Sequence, residues 1–269
     1  MTDAPPATDA HRRGTGPVTA TGPVTATGPV TATGPVTATT REAVTWVEWD
    51  TGERNLLDLD TVRLILRELR AADADPGCAA VVLAGSPLAF CGGADLPKLR
   101  ATGTAAEFAA EVIALLKLVP VLRKPVLAAV RGDALASGFS LALLTDAAVA
   151  ADHALLGTVE AAGGSWPMIA QVAVRHLLPA KLATYNLVTG IPFPAARLEA
   201  LGVLAATAPA AQVDARVQEL ALAAAKPGPL AATGRRLLAE LSVNAGYAAD
   251  LDAALAGFVA MLNPTEAAA

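Results

Sequence analysis

Three short stretches carry residue types from which a site could be built. In the first, Lys124 to Asp146, the apolar run Val126 to Val130 is bounded by Pro125 and Gly132 and reads as a strand buried on both faces. It passes through Ala136, Ser137 and Gly138 into a segment where Leu141, Leu143 and Leu144 recur among small residues, as on a closely packed helix. The first amides of a helix lack intrahelical partners, and small side chains let a ligand approach them. Such a turn favours negative charge. The second stretch, Phe90-Cys91-Gly92-Gly93-Ala94-Asp95-Leu96, is a glycine-bearing loop ending at another helix start, although glycine pairs also simply terminate strands. The third, Gly157-Thr158-Val159-Glu160, puts a carboxyl after an apolar strand in an alanine-rich setting, where burial raises its pKa. Glu160 is then either an acid–base group or a rim carboxylate capping the next helix.

Other reactive side chains read less sharply. Ser137 fails as a hydrolase nucleophile, because Leu135 and Phe139 occupy the glycine positions of a G-x-S-x-G elbow. Cys91 reads as a small buried hydrophobe. The only histidines are His11, His153 and His176, which argues against a His-rich metal site, and no metal is expected. Asp95 reads as a helix N-cap. Asp133 either lines a pocket or bonds its own turn, and Trp166 either shapes a pocket wall or packs ordinarily. Glu107 and Glu111 read as solvated charges on a helix.

Regular elements must hold these stretches. Val44 to Trp49 alternates as a half-buried strand, Thr51-Gly52 supplies a turn, and Leu59, Val62, Leu66 and Leu69 follow helical spacing behind Asp58 as N-cap. Cys78 to Ala84 is a second buried strand. A short strand to Ala151 precedes Leu155 to Glu160, and beyond it the spacing predicts helices near 167–178, 180–188, 195–201, 211–225, 230–243 and 248–262. Strands alternating with helices, then helices alone, imply an α/β core at 41–195 and a helical C-terminal region at 196–269. Its Ala- and Leu-rich surface is expected to pack against another subunit.

Residues 15–38 are four tandem copies of TGPVTA, which lack aromatic and charged side chains. Each proline removes a ladder donor, so residues 1–40 are expected to be a disordered low-complexity tail. With 54% apolar residues in 269, the rest can bury a sizeable core. The net charge of −5 and the lack of a dense basic cluster exclude nucleic acid as the expected partner. Two cysteines fit a reducing compartment, and no apolar stretch reads as a membrane span. A cytoplasmic location is expected.

Taken in order, the 90–96 loop, the 124–146 stretch, Gly157 to Glu160, and Thr189-Gly190 with Gly202-Val203-Leu204 resemble the crotonase, or enoyl-CoA hydratase/isomerase, superfamily over about residues 43–263. The resemblance implies a spiral of strand-strand-helix repeats with a helical trimerisation region, assembled as a homotrimer or dimer of trimers. The implied substrate is an acyl thioester of coenzyme A, with no other cofactor. Gly92 and Ser137 would supply the two backbone N–H groups that stabilise a thioester enolate, and Glu160 the acid–base group. Family hydratases usually carry a second glutamate where this chain has Ser140, so a single-carboxylate isomerase is the leading expectation and a one-glutamate hydratase the alternative. An accessory protein that binds without turnover is also open. The same loops place Leu56, Cys91, Ala94, Asp95, Leu96, Asp133, Ser140 and Trp166 near substrate, with Arg54 and Lys98 as cations for phosphate. The stretch Phe258 to Pro264 lacks the basic residues common there in the family, which leaves a carrier-protein thioester as a second carrier.

Overall fold

The structure is a computed structural model and describes residues 31–242 and 246–262. Its elements are β1 (Thr31–Thr33), β2 (Val36–Arg41), β3 (Val44–Trp49), α1 (Leu59–Ala74), β4 (Ala80–Ala84), β5 (Ala89–Cys91), α2 (Leu96–Thr102), α3 (Ala105–Leu118), β6 (Val126–Val130), β7 (Asp133–Leu135), α4 (Ser137–Leu144), β8 (Ala147–Ala151), β9 (Leu155–Gly157), α5 (Ala170–Leu177), α6 (Ala180–Thr189), β10 (Phe193–Pro194), α7 (Ala195–Ala200), β11 (Ala206–Ala208), α8 (Ala210–Ala225), α9 (Pro229–Ser242) and α10 (Gly246–Leu262).

The strands fall into two sheets, one of order β1-β2-β3-β4-β6-β8-β11 and one of order β10-β9-β7-β5. Each turn of the chain gives its first strand to the large sheet and its second to the small one: β4 then β5, β6 then β7, β8 then β9. A helix follows each pair. This is the expected spiral of strand-strand-helix units. Within the large sheet β3, β4, β6, β8 and β11 pair in parallel, and β4 and β6, at its centre, consist wholly of buried residues. Helix α1 starts as expected, with Asp58 accepting from Thr61 N at 2.8 Å, and buries Val62, Ile65, Leu66 and Leu69. The aromatic centre of the core comprises Trp46, Trp49, Phe90 and Phe139, with Trp49 edge-on to Phe90 at 5.1 Å.

Two expected boundaries move. The expected tail reaches residue 40, but residues 31–41 form β1 and β2, and β2 pairs antiparallel with β3 from Val36↔Trp49 to Arg41↔Val44. The last TGPVTA copy escapes the proline penalty because Gly34-Pro35 sits in the turn, where no ladder bond is lost, while Val36 and Ala38 are buried. The rest of the expected tail, residues 1–30, lies outside the described residues. The border at 196 also falls inside the fold. Strand β11 pairs with β8, and α8 lies across β4, β6 and β8, where Gln218 accepts from Trp46 Nε1 at 2.7 Å and donates to the Arg41 carbonyl at 3.0 Å. Helices α9 and α10 complete the C-terminal region. Arg235 of α9 is buried and forks onto Asp146 at 2.8 and 2.9 Å, and α10 packs on α3 and α5. Among the described residues no helix is long and apolar enough to cross a membrane, and no cluster of three or more His, Cys, Asp or Glu could hold a metal.

Candidate functional site

The small sheet decides where the three sequence stretches meet. Strands β5, β7 and β9 are parallel neighbours, in register at Cys91↔Ala134, Ala134↔Leu156 and Leu135↔Gly157. Their C-terminal ends therefore deliver residues 92–95, 136–138 and 158–160 to one rim, the usual place for ligands in parallel sheets. Residues 55–57 join them, because Leu57 N donates to Gly93 O and Asp95 N to Leu57 O, both at 2.8 Å.

At this rim the first two loops are in contact. A Cβ on Gly93 would lie 2.8 Å from the Ala136 methyl, and one on Gly138 would lie 2.5 Å from the Cys91 carbonyl oxygen. Only glycine at 93 and 138 lets the loops close this far. The sharp bend before α4 falls on Ala136, at φ 52 and ψ −121, with its N–H donated to Gly157 O at 3.0 Å. Ser137, where the family usually has glycine, needs no left-handed backbone. The strained conformation sits one residue earlier. Phe139 and Ser140 donate to Ala136 O, whereas the Ser137 N–H has no acceptor within the chain among the described residues. The Gly92 N–H reaches only Asn55 O, at 3.4 Å, and so is weakly engaged. Two amides with donating capacity to spare thus flank one contact.

Sequence reasoning missed the residue that holds the first loop. Asn55 is fully buried at φ 48, a left-handed conformation asparagine tolerates. Its Nδ2 lies within 2.9–3.2 Å of the carbonyls of Trp49, Ala89 and Phe90, and its Oδ1 accepts from Thr51 N at 2.9 Å. The signal was an asparagine three residues after Thr51-Gly52. Its partners Ala89 and Phe90 in β5 are more than thirty positions away.

Glu160 follows β9 and is half-buried at the same rim. Burial pushes its carboxyl above the usual carboxylate range, opposed by backbone amides, of which Val159 N–H donates to Oε2 at 2.9 Å. No charged side chain bears on its titration among the described residues. A carboxyl so placed can both take and return a proton.

The other expected residues divide. Leu56 and Ala94 border the Gly92 loop, Leu56 Cδ2 lying 3.1 Å from where a Gly92 Cβ would stand. Arg54 is exposed beside Gly92 and has no ion-pair partner among the described residues. Lys98 is exposed but ion-paired to Asp58, and Asp95 caps α2 by accepting from Lys98 N at 3.1 Å. Leu96 is exposed at the start of α2. Cys91 is fully buried and burial pushes its thiol up to about 12, which ends any nucleophilic role.

Two residues expected near substrate are corrected. Asp133 does not bond its own turn; it accepts from Leu155 N at 2.9 Å and ties the start of β9 to β7. Ser140 is fully buried on α4 and donates its hydroxyl to Ala170 O at 3.3 Å, committed to holding α5 rather than facing the rim.

Trp166 is partly exposed, with Nε1 donated to Gln171 Oε1 at 2.9 Å. The solvated-charge reading of Glu107 and Glu111 holds, since both pair with Arg63 at 3.1 Å on an exposed surface. A cavity of about 660 Å³ lies between α5 and α10, lined by Met168, Gln171, His176 and Asp250. Neither donor amide nor Glu160 lines it.

Comparison with known proteins agrees with this fold. Residues 39–262 match the family described as enoyl-CoA hydratase/isomerase. Enoyl-CoA hydratase EchA19 of Mycobacterium tuberculosis is 32% identical over 185 residues, covering 66% of this chain and 69% of that protein. The crystal structure of an enoyl-CoA hydratase (ECHA3) from Mycobacterium marinum matches at TM-score 0.75 and 26% identity, covering 84% of this chain and 99% of that one. That of an enoyl-CoA hydratase/isomerase from Xanthobacter autotrophicus Py2 matches at TM-score 0.78 and 25% identity, covering 85% and 87%.

Proposed function

The chain belongs to the enoyl-CoA hydratase/isomerase family, and from that premise we propose that its rim binds an acyl thioester, polarises the carbonyl with the amides of Gly92 and Ser137, and moves a proton with Glu160. In a 3-enoyl thioester the Glu160 carboxylate takes a proton from C2, and the C–H electron pair moves into a dienolate whose oxygen carries the negative charge. Two fixed N–H groups aimed at that oxygen lower the barrier, and losing one such donor costs about 2.7–4 kcal/mol. The protonated Glu160 then returns the proton at C4, which gives the 2-enoyl thioester.

One observation carries the choice of isomerisation. Adding water across the double bond is served by a second acid–base group, and the residue at that position, Ser140, is buried with its hydroxyl given to Ala170 O. With Asp95 engaged in capping α2, Glu160 is the rim carboxyl left for the chemistry, and one such group suits a reaction that takes a proton from one carbon and returns one to another.

A second reading, hydration or dehydration with Glu160 and an ordered water, is favoured by the names of the two mycobacterial relatives, which are hydratases. A third, an accessory protein that binds the thioester without turnover, rests on the same loss of the second acid. Incubation of the protein and of Glu160→Gln with 2-enoyl- and 3-enoyl-CoA in deuterated water, followed by mass spectrometry, separates the three. Isomerisation with deuterium uptake in the parent alone supports the proposal. A 3-hydroxyacyl product selects the second reading, and binding without exchange in either protein selects the third.

The proposed carrier is coenzyme A, with carrier protein as the alternative and no cofactor beyond the substrate. Arg54 is the first phosphate partner, because the Lys98 charge is already paired with Asp58. Homotrimeric or dimer-of-trimers assembly is supported by exposed Leu237 and Leu238 on α9, Val188 on α6 and Ile191 just after it. A cytoplasmic location is proposed on the two buried, unpaired thiols Cys78 and Cys91.

A further inference from the structure

The chain that presents Glu160 leaves the sheet after Gly157, and a single buried side chain continues the strand's hydrogen bonding there. Asn186 of α6 and Thr158 are both fully buried. Asn186 Oδ1 accepts from Thr158 N and from Thr158 Oγ1, each at 2.9 Å. Asn186 Nδ2 donates to Thr158 O at 3.0 Å and to Ile191 O at 2.9 Å. All four hydrogen-bonding positions of the side-chain amide are used. The amide engages both main-chain groups of Thr158, as a neighbouring strand would, where β10 no longer pairs with β9.

The partners on either side of one peptide unit matter most. The carbonyl of Thr158 and the N–H of Val159 belong to the same planar unit. Asn186 donates to its oxygen, and its N–H donates to Glu160 Oε2 at 2.9 Å. Donation to the carbonyl oxygen strengthens the N–H at the other end, because successive hydrogen bonds polarise one another. We propose that Asn186 is a positioning residue which, through the Thr158–Val159 peptide, fixes the Glu160 carboxylate and favours its charged form. The inference rests on Glu160 being the proton-transfer group, and it adds a device for tuning that group from a neighbouring helix.

Among the described residues no charged side chain competes for this role. Burial and backbone amides alone set the titration of Glu160, so weakening one amide shifts the carboxyl further up. An apolar residue at 186 would leave Thr158 N–H and C=O without partners and free the backbone before Glu160.

The test compares the parent, Asn186→Leu and Thr158→Val, with Asn186→Ser in place of the leucine variant if that one does not fold. The readouts are the pH profile of kcat, the KM, and a ¹³C-carboxyl titration of Glu160 assigned by the signal lost in Glu160→Gln. With Asn186 replaced, kcat falls about tenfold at unchanged KM. The acid limb of the profile and the Glu160 carboxyl titration both move to higher pH. Thr158→Val removes the hydroxyl but keeps both main-chain bonds, so its profile stays at the parent position. An unmoved Glu160 titration in a folded Asn186 variant overturns the proposal. Full activity of Glu160→Gln would defeat the catalytic reading alone, because the carboxyl titration still reports the Asn186 link without turnover.

Discussion

The Ala136 methyl fills the space that a side chain on Gly93 would need, 2.8 Å from an ideal Cβ there. This contact brings the end of β5 against the start of α4, and it sets how closely the Gly92 and Ser137 amides can converge. Gly93 is also at φ 98. Gly93→Ala therefore pushes the loops apart and strains the backbone at once. Turnover of enoyl-CoA is expected to fall about a hundredfold, because displacing a fixed donor by a fraction of an ångström to an ångström is costly. Retained far-ultraviolet circular dichroism alongside that loss would confirm a local effect, and unchanged turnover would refute it.

Ala136 carries a conformation that glycine adopts freely, φ 52 with ψ −121. The cost of holding an alanine there is of order 1–3 kcal/mol. Ala136→Gly is expected to recover about 1 kcal/mol, part of the relief being offset by the extra freedom of glycine in the unfolded chain. For a chain of this size that raises Tm by about 2–4 °C. Calorimetry of the two proteins decides it.

Ser140 gives a prediction of indifference. Its hydroxyl serves Ala170 O inside the protein, so Ser140→Ala should keep kcat within about twofold while costing about 1 kcal/mol of stability for the lost bond. A serine that held the attacking water would instead lose most hydration activity on truncation. Paired measurements of kcat and urea midpoint distinguish the two.

Glu160 ties stability to pH. Its carboxyl titrates higher in the fold than in the unfolded chain because of burial, so the folded state keeps the proton to higher pH. The stabilisation this gives is fully present below the ordinary glutamate range and is lost as pH rises through the raised value. Glu160→Gln should therefore match the parent in Tm in acid and exceed it at mildly alkaline pH. A constant Tm difference across that window would show that the carboxyl is not perturbed.

Much of this architecture could be read before any coordinates. The apolar runs of β4 and β6, the helix behind Asp58, the two glycine loops and Glu160 all announce themselves through local pattern. What escaped has a common physical cause. Strands β7 and β11 are three residues long and made of Ala, Leu, Thr and Asp, too short to show a period. Asn55 and Asn186 act on backbone far away in sequence, and their fully bonded amides leave no local trace. The end of the repeat tract was misread because a proline counts against a strand but not against the turn beside it.

That turn has a consequence for inheritance. Tandem copies of a short unit gain and lose members by slippage during replication. The part of the tract that enters the sheet, Thr31–Ala38, is the end of the third copy and the whole of the fourth, and all four copies are identical. Loss or duplication of a unit leaves the same eight residues against Thr39 as long as two copies remain. The edge of the sheet is thereby insulated from changes in copy number, and the tract can vary in length between lineages without unravelling the fold it joins.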